Sequence, residues 1–148
     1  MGGQFPGRQP KTGWMHFEHV ADVGVRGFGI SMAEAFEQAA LALTSVVSSL
    51  DTIRRRETVT IVCEAPNAEF LLADWLNAII FEMATRHLLF SAFEVDIHEN
   101  RLSGKAHGEA IDTARHQPAA EVKGATLSEL LVTQTPEGHW LAQCILDV

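Results

Sequence analysis

Basic residues are scarce in this chain: 11 lysines and arginines stand against 19 aspartates and glutamates, a formal net charge of −8. Such a surface repels a phosphate backbone, so autonomous nucleic-acid binding is not expected. A cation, a basic protein surface or a partner that itself holds RNA suits the balance better. Cysteine is limited to Cys63 and Cys144, far apart and in no Cys-x-x-Cys pair. That pattern signals neither a zinc site nor a redox couple, and both are expected to be buried thiols. No apolar run approaches the roughly 20 residues needed to span a bilayer. The first residues, Met1 to Gly13, lack the apolar block of a signal peptide, so the cytoplasm is the expected compartment. Gly-x-Ser-x-Gly, a Walker loop, His-Glu-x-x-His and a dinucleotide fingerprint are all missing, and nothing places a nucleophile beside a base.

What is there describes a folded protein. Of 148 residues 47% are hydrophobic and 20% charged, enough to enclose a core as a single domain over residues 14–148, behind a leader at 1–13 read as flexible. Trp14 to Phe17 and Val23 to Ile30 read as strands flanking a turn at Asp22. Ser31-Met32-Ala33-Glu34 has the form of a capping box and opens a helix with Phe36, Ala39, Ala40, Leu43 and Val47 at helical spacing. A strand is expected over Glu57 to Glu64. A second helix starts at Asn67 and carries the stripe Leu71, Leu72, Trp75, Leu76, Ile79, Ile80 and Met83. A hairpin over Phe93 to Glu109, a loop over Ile111 to Gln117 and extended segments at Glu121 to Val132 and His139 to Val148 complete the chain. The fold class expected is α+β, two-layer, with two helices packed on one face of a mainly antiparallel or mixed sheet of about seven strands.

Two aspartates stand out. Asp147 lies one residue from Val148 at the end of an apolar run, Cys144-Ile145-Leu146. Asp22 interrupts Phe17-Glu18-His19-Val20-Ala21-Asp22-Val23-Gly24-Val25, where it serves equally as a turn residue bonding its own backbone. If the first and last strands are neighbours, the two carboxylates converge on one hard cation. His16 and His19 are three apart in an extended segment, which puts them on opposite faces and excludes a joint zinc site. His116, before Pro118, reads as a surface loop histidine able to approach the acidic pair. Lys123 interrupts a strand, where it protects an edge or balances an acidic cluster. The run Arg54-Arg55-Arg56 reads as a solvated loop.

The stretch from Phe17 to Val25, the helix from Ser31 with Ala35-Phe36 and Ala39 to Leu43, and Leu71-Leu72-Ala73-Asp74-Trp75-Leu76-Asn77 together form a specific pattern. Gly108-Glu109 with Asp112 and His116, Glu121-Val122-Lys123-Gly124-Ala125-Thr126 and the closing Ile145-Leu146-Asp147-Val148 extend it. In these motifs the chain resembles the archease family, small acidic proteins that activate the GTP-dependent RNA-splicing ligase. The resemblance implies a non-enzymatic protein cofactor that supports guanylylation and multiple turnover of the ligase in tRNA splicing or RNA repair, with RNA reached only through the ligase and no membrane. It implies a divalent ion, calcium, magnesium or manganese, at Asp22, Asp147 and the Val148 carboxylate. It makes Lys123 the functionally required lysine, with His19 and Glu121 in support. Leu127 departs from the pattern, because many relatives carry an aromatic residue there. Two other readings remain beside this one: a metal-dependent hydrolase or nuclease using the same acidic site, and a folding chaperone or adaptor resting on the acidic surface.

Overall fold

The structure, a computed structural model, describes residues 11–19 and 22–148. Strands β1 (Gly13–His19) and β2 (Asp22–Gly29) form an antiparallel hairpin, and β2 pairs on its other edge with β8 (Trp140–Asp147). The far edge of β8 is shared by β7 (Leu131–Gln134) near its start and the two-residue β6 (Gly124–Ala125) at its end. A second sheet has the order β3 (Glu57–Glu64), β5 (Arg101–Ala110), β4 (Leu88–His98). Every pairing among the described residues is antiparallel. The α+β class holds, with the strands divided between sheets of five and three. The division follows the chain: the middle strands pair among themselves, while the two ends of the chain meet in the larger sheet.

Helix α1 (Met32–Val47) is started by the expected cap: the Glu34 N–H donates to Ser31 Oγ at 3.1 Å, and Glu34 Oε1 accepts from the Ile30 N–H at 2.9 Å. Its small residues let it lie on β2 at backbone range. A Cβ on Gly27 would stand 2.2 Å from the Ala35 carbonyl oxygen, so only glycine permits this approach. α1 also reaches the second sheet, where Glu37 Oε2 accepts the Val95 N–H at 2.8 Å. That N–H belongs to β4, an edge strand, and the bond closes part of an otherwise open edge. Burial and the neighbouring carboxylates raise the pKa of Glu37, the Val95 N–H opposing them.

Helix α2 (Ala68–Arg86) begins at Asn67, whose side chain accepts from the Phe70 N–H at 2.9 Å. Its apolar stripe is buried as read, Trp75, Leu72, Leu76 and Ile79 being fully enclosed. It ends at His87, in the left-handed region at φ 55°. Cys63 and Cys144 are both free and buried. Burial pushes their thiols up, to about 11 and about 12.

Three expectations are revised. β4 starts at Leu88, well before Phe93, because a register shift between Phe90 and Ala92 breaks the alternation that marks a strand. The segment Glu121 to Val132 is not one strand but β6 and β7 with an irregular stretch between them, where Glu129 takes a positive φ of 51°. The loop before Pro118 contains a short helix, α3 (Thr113–His116), whose first turn is capped by Asp112 accepting the Arg115 N–H.

Candidate metal site at the end of the larger sheet

The register of the larger sheet brings the sequence-predicted carboxylates together. Val23 faces Leu146, and both strands continue one residue further, which sets Asp22 opposite Asp147. On the other side of Asp22 stands His19, placed by its backbone, and on the other side of Asp147 stands Gly124. Directly opposed residues of an antiparallel pair share a face, with Cβ atoms about 4.5–5.5 Å apart. One row therefore crosses this end of the sheet, Asp22, Asp147 and Gly124, with the backbone of His19 next to Asp22 on β1. It lies on the face away from α1, because Gly27, an odd number of residues along β2, faces that helix. The turn residues Val20 and Ala21 lie outside the described residues, and with them any bond from Asp22 to that turn.

Asp22 is half-buried and Asp147 exposed. Neither takes part in an ion pair between described residues. Like charges directly opposite each other destabilise a sheet. The nearby cation on this face, Arg26, is engaged elsewhere: its guanidinium stacks 4.3 Å from the Phe17 ring centroid and its Nε–H donates to Gln143 Oε1 at 2.7 Å. Val148 follows Asp147 half-buried, its side chain packed against the core. Among the described residues no group of three or more His, Cys, Asp or Glu side chains could hold a metal. The side-chain donors on offer among the described residues are thus the two carboxylates. That chemistry fits a hard cation completing its shell with water or a partner's oxygens, and does not fit zinc.

Lys123 joins the row through its backbone, donating its N–H to the Asp147 carbonyl at 2.7 Å. Its side chain, like that of Glu121, lines a groove beside α2. Asn77 of α2 holds the adjoining strand β6, accepting the Ala125 N–H at 2.8 Å. Leu127, at the departure from the family pattern, is 62% exposed.

His116 behaves differently from its reading as a surface histidine near the acidic pair. It is 3% exposed and bonded to Glu109, itself 5% exposed. Its Nδ1 accepts the Asp112 N–H at 2.8 Å and its Nε2–H donates to Glu109 Oε2 at 2.9 Å, so the bonds select the Nε2–H tautomer. The same oxygen accepts the Arg54 backbone N–H and an Arg115 Nη1–H, both at 2.8 Å. A lone glutamate in a strand gives no sequence signal of burial. Only the grouping of Glu109, Asp112 and His116 in one motif pointed here. The Arg115 hydrogen bond above all, then the Arg54 N–H, hold the Glu109 carboxyl far below the usual carboxylate range. A depressed folded pKa adds stability that is fully present above the ordinary glutamate value of about 4.3 and is lost as pH falls through the folded value. Glu109→Gln is accordingly expected to lower the urea midpoint by a constant amount above about pH 5, the gap from wild type closing as the pH drops below about 4. A gap independent of pH down to acid unfolding would contradict the charged clasp.

Known proteins with this pattern confirm what the motifs imply about kinship. The profile of the Archease protein family (MTH1598/TM1083) matches residues 14–148. Proteins named archease from Pyrococcus furiosus and Pyrococcus abyssi are 36% and 35% identical over 139 residues, covering 91% of this chain and 98% of each relative. The solution structure of protein 1598 from Methanobacterium thermoautotrophicum superposes with a TM-score of 0.80 at 30% identity, over 92% of this chain and 99% of that one. With the family profile spanning the whole of the folded region, the chain belongs to the archease family.

Proposed function

We propose that this protein is a non-catalytic, metal-binding cofactor of the GTP-dependent RNA-splicing ligase, raising the ligase's guanylylation and its number of turnovers. Family membership supports a role as a protein cofactor. The observation that carries the metal reading is the facing of Asp22 and Asp147 across adjacent strands with no cation of the described chain paired to either. When bound, a divalent ion, calcium, magnesium or manganese, offsets that repulsion and offers positive charge to phosphate oxygens. The chain's own residues then have distinct tasks. Asp22 and Asp147 supply anionic oxygen from two neighbouring strands, so their spacing is set by the sheet rather than by a loop. Val148 adds backbone oxygen and anchors the end of β8 through its side chain. His19 adjoins the pair from β1 through its backbone, Lys123 is fastened to it by its N–H on the Asp147 carbonyl, and Glu121 stands two residues before Lys123.

A hydrolase using the same carboxylates needs a general base beside them, and His116, the candidate, is committed to Glu109 and Asp112. No helix of the described chain is long and apolar enough to cross a membrane, and a cytoplasmic location accords with the proposed partner. The test is a ligation assay with RNA in excess over ligase, with GTP and a divalent ion. Addition of this protein is expected to carry the ligase from about one RNA joined per molecule to many, while the protein alone leaves RNA and nucleotides intact. An unchanged turnover number would remove the proposal, and cleavage of RNA or GTP by the protein alone would favour the hydrolase.

A further inference from the structure

The smaller sheet leaves one long edge open. Strand β3 pairs with β5 in an unbroken register from Glu57 to Glu64 and, among the described residues, with nothing else. In an antiparallel pair only alternate residues bond a given neighbour. The Ala65 N–H donates to the Asn100 carbonyl at 3.2 Å, in step with that register, so odd-numbered residues of β3 bond β5 and even-numbered ones turn their N–H and C=O outward. The Val95 N–H, which leaves the opposite edge toward Glu37, fixes the same alternation from β4 through β5. The outward groups belong to Thr58, Thr60, Val62 and Glu64, all exposed and none with a backbone partner among the described residues. Elsewhere the edges are blunted: β4 is bulged and capped at Val95, and β6 and β7 are two and four residues long. β3 has eight residues and no bulge, proline, glycine, lysine or arginine. Between its terminal glutamates runs Thr58-Val59-Thr60-Ile61-Val62-Cys63, uncharged and β-branched up to the cysteine, the composition of a strand prone to pair with its own kind.

We propose that β3 is a pairing surface for a second copy of this chain, the two strands running antiparallel about a two-fold axis at Ile61, so that the three-stranded sheets join into one. In that register the strand is its own complement. Thr60 faces Val62 of the second copy and Thr58 faces its Glu64, so every outward N–H from Thr58 to Glu64 meets a carbonyl and every outward carbonyl an N–H. The core-facing residues stay with their kind, Val59 opposite Cys63 and Ile61 opposite itself, and the buried face continues across the junction. No glutamate stands opposite a glutamate, and Val62, 54% exposed, gains a β-branched cross-strand neighbour. A foreign strand has to match this alternation and the glutamate at each end, whereas a second copy does so by symmetry. The net charge of −8 repels a second copy at long range while the junction itself is uncharged, so added salt tightens the pairing, the opposite of a contact held by ion pairs. One pair of strands is a small interface, which makes the dimer dependent on concentration. The carboxylate row lies in the other sheet, and the inference stands apart from the ligase-cofactor reading.

The experiment combines sedimentation velocity of the full chain, from micromolar to millimolar concentration at low and high sodium chloride, with amide hydrogen exchange. Monomer is expected to pass to dimer as concentration rises, and to do so at lower concentration in high salt. Val62→Lys sets the lysines of the two copies near each other beside the axis, and Thr60→Pro removes an outward N–H that no bond within the chain uses; both positions are exposed. Each is expected to raise the dimer dissociation constant at least about tenfold, with near-ultraviolet circular dichroism as the check on folding. Exchange in the wild-type chain reads the edge itself and needs no variant. The Thr58, Thr60, Val62 and Glu64 amides should exchange freely in dilute protein and slow as the dimer forms. A chain that stays monomeric throughout, a dimer that loosens with salt, a dimer left intact by Val62→Lys, or a dimer in which these amides exchange as in the monomer overturns the proposal. Amides already protected in dilute protein and freed by deletion of residues 1–10 give the edge to the chain's own leader. Amides that slow only when ligase is added give it to that partner, and either result overturns the pairing of copies.

Discussion

Removing one carboxylate of the opposed pair is expected to have opposite effects with and without metal. Asp147→Asn and Asp22→Asn each keep the shape of the side chain and delete one of two like charges facing each other across β2 and β8. In chelator, where the repulsion is uncompensated, either variant should be more stable than wild type by about 0.2–1 kcal/mol, the scale of a cross-strand pair. With calcium the order reverses. Loss of an anionic ligand from the proposed site, with two carboxylates among the described residues, should weaken binding by at least about 100-fold, beyond what loss of a supporting hydrogen bond to a ligand costs. At a calcium concentration about 100 times the wild-type Kd, binding stabilises the native state by about 2.7 kcal/mol. For a protein of this size that raises Tm by about 5–11 °C. The variants should show almost none of this rise, and they should fail to lift ligase turnover at the same calcium. Calorimetric titration with calcium chloride and thermal unfolding in chelator and in calcium read all of it. Variants that bind calcium like wild type would remove the carboxylates from the site. Variants less stable than wild type in chelator would show that the pair is held by something other than a cation.

The candidate site was only half legible in the sequence, for a physical reason. Asp22 and Asp147 were visible as odd residues in apolar runs, but their meeting depends on the pairing of β2 with β8, and no local pattern encodes which strands pair. Signals within one element read well. The cap at Ser31, the cap at Asn67 and the buried stripe of α2 all follow from spacings of three and four residues, and each is where it was expected. Features set by contacts between distant segments did not. The strands form two sheets because the central hairpin pairs back onto β3. The segment from Glu121 to Val132 breaks in two where Asn77 of α2 grips Ala125 and Glu129 turns the chain. Glu109 and His116 each look like surface residues alone, and become buried only because Arg115, Arg54 and Asp112 supply every hydrogen bond their burial requires.

Trp75→Ala is expected to be the most damaging substitution for stability, and its effect on the carboxylate row should be small by comparison. Trp75 is fully buried and joins three elements. Its Nε1–H donates to the Phe36 carbonyl of α1 at 3.1 Å. Its ring meets Phe93 of β4 edge-on, with centroids 5.8 Å apart. Its six-membered ring also covers Gly104 of β5 so closely that a Cβ there would lie 2.6 Å from it. Truncation empties the volume between α2 and the second sheet, and large aromatic-to-alanine changes in cores cost about 3–5 kcal/mol. For a chain of this length that corresponds to a fall in Tm of about 6–20 °C. Trp75→Phe, which keeps most of the volume and loses the N–H, should fall by clearly less, and Gly104→Ala should destabilise from the other side of the same contact by forcing the ring to move. The carboxylate row is built on β2 and β8, whose pairing does not pass through Trp75, whereas β6 is held by Asn77 of the same helix. Calcium affinity of the folded variant at 25 °C should therefore stay within a few-fold of wild type while its melting temperature drops. A large loss of calcium affinity in a folded Trp75→Ala protein would mean that the row is shaped by how α2 presses on β6, and not by the β2–β8 register alone.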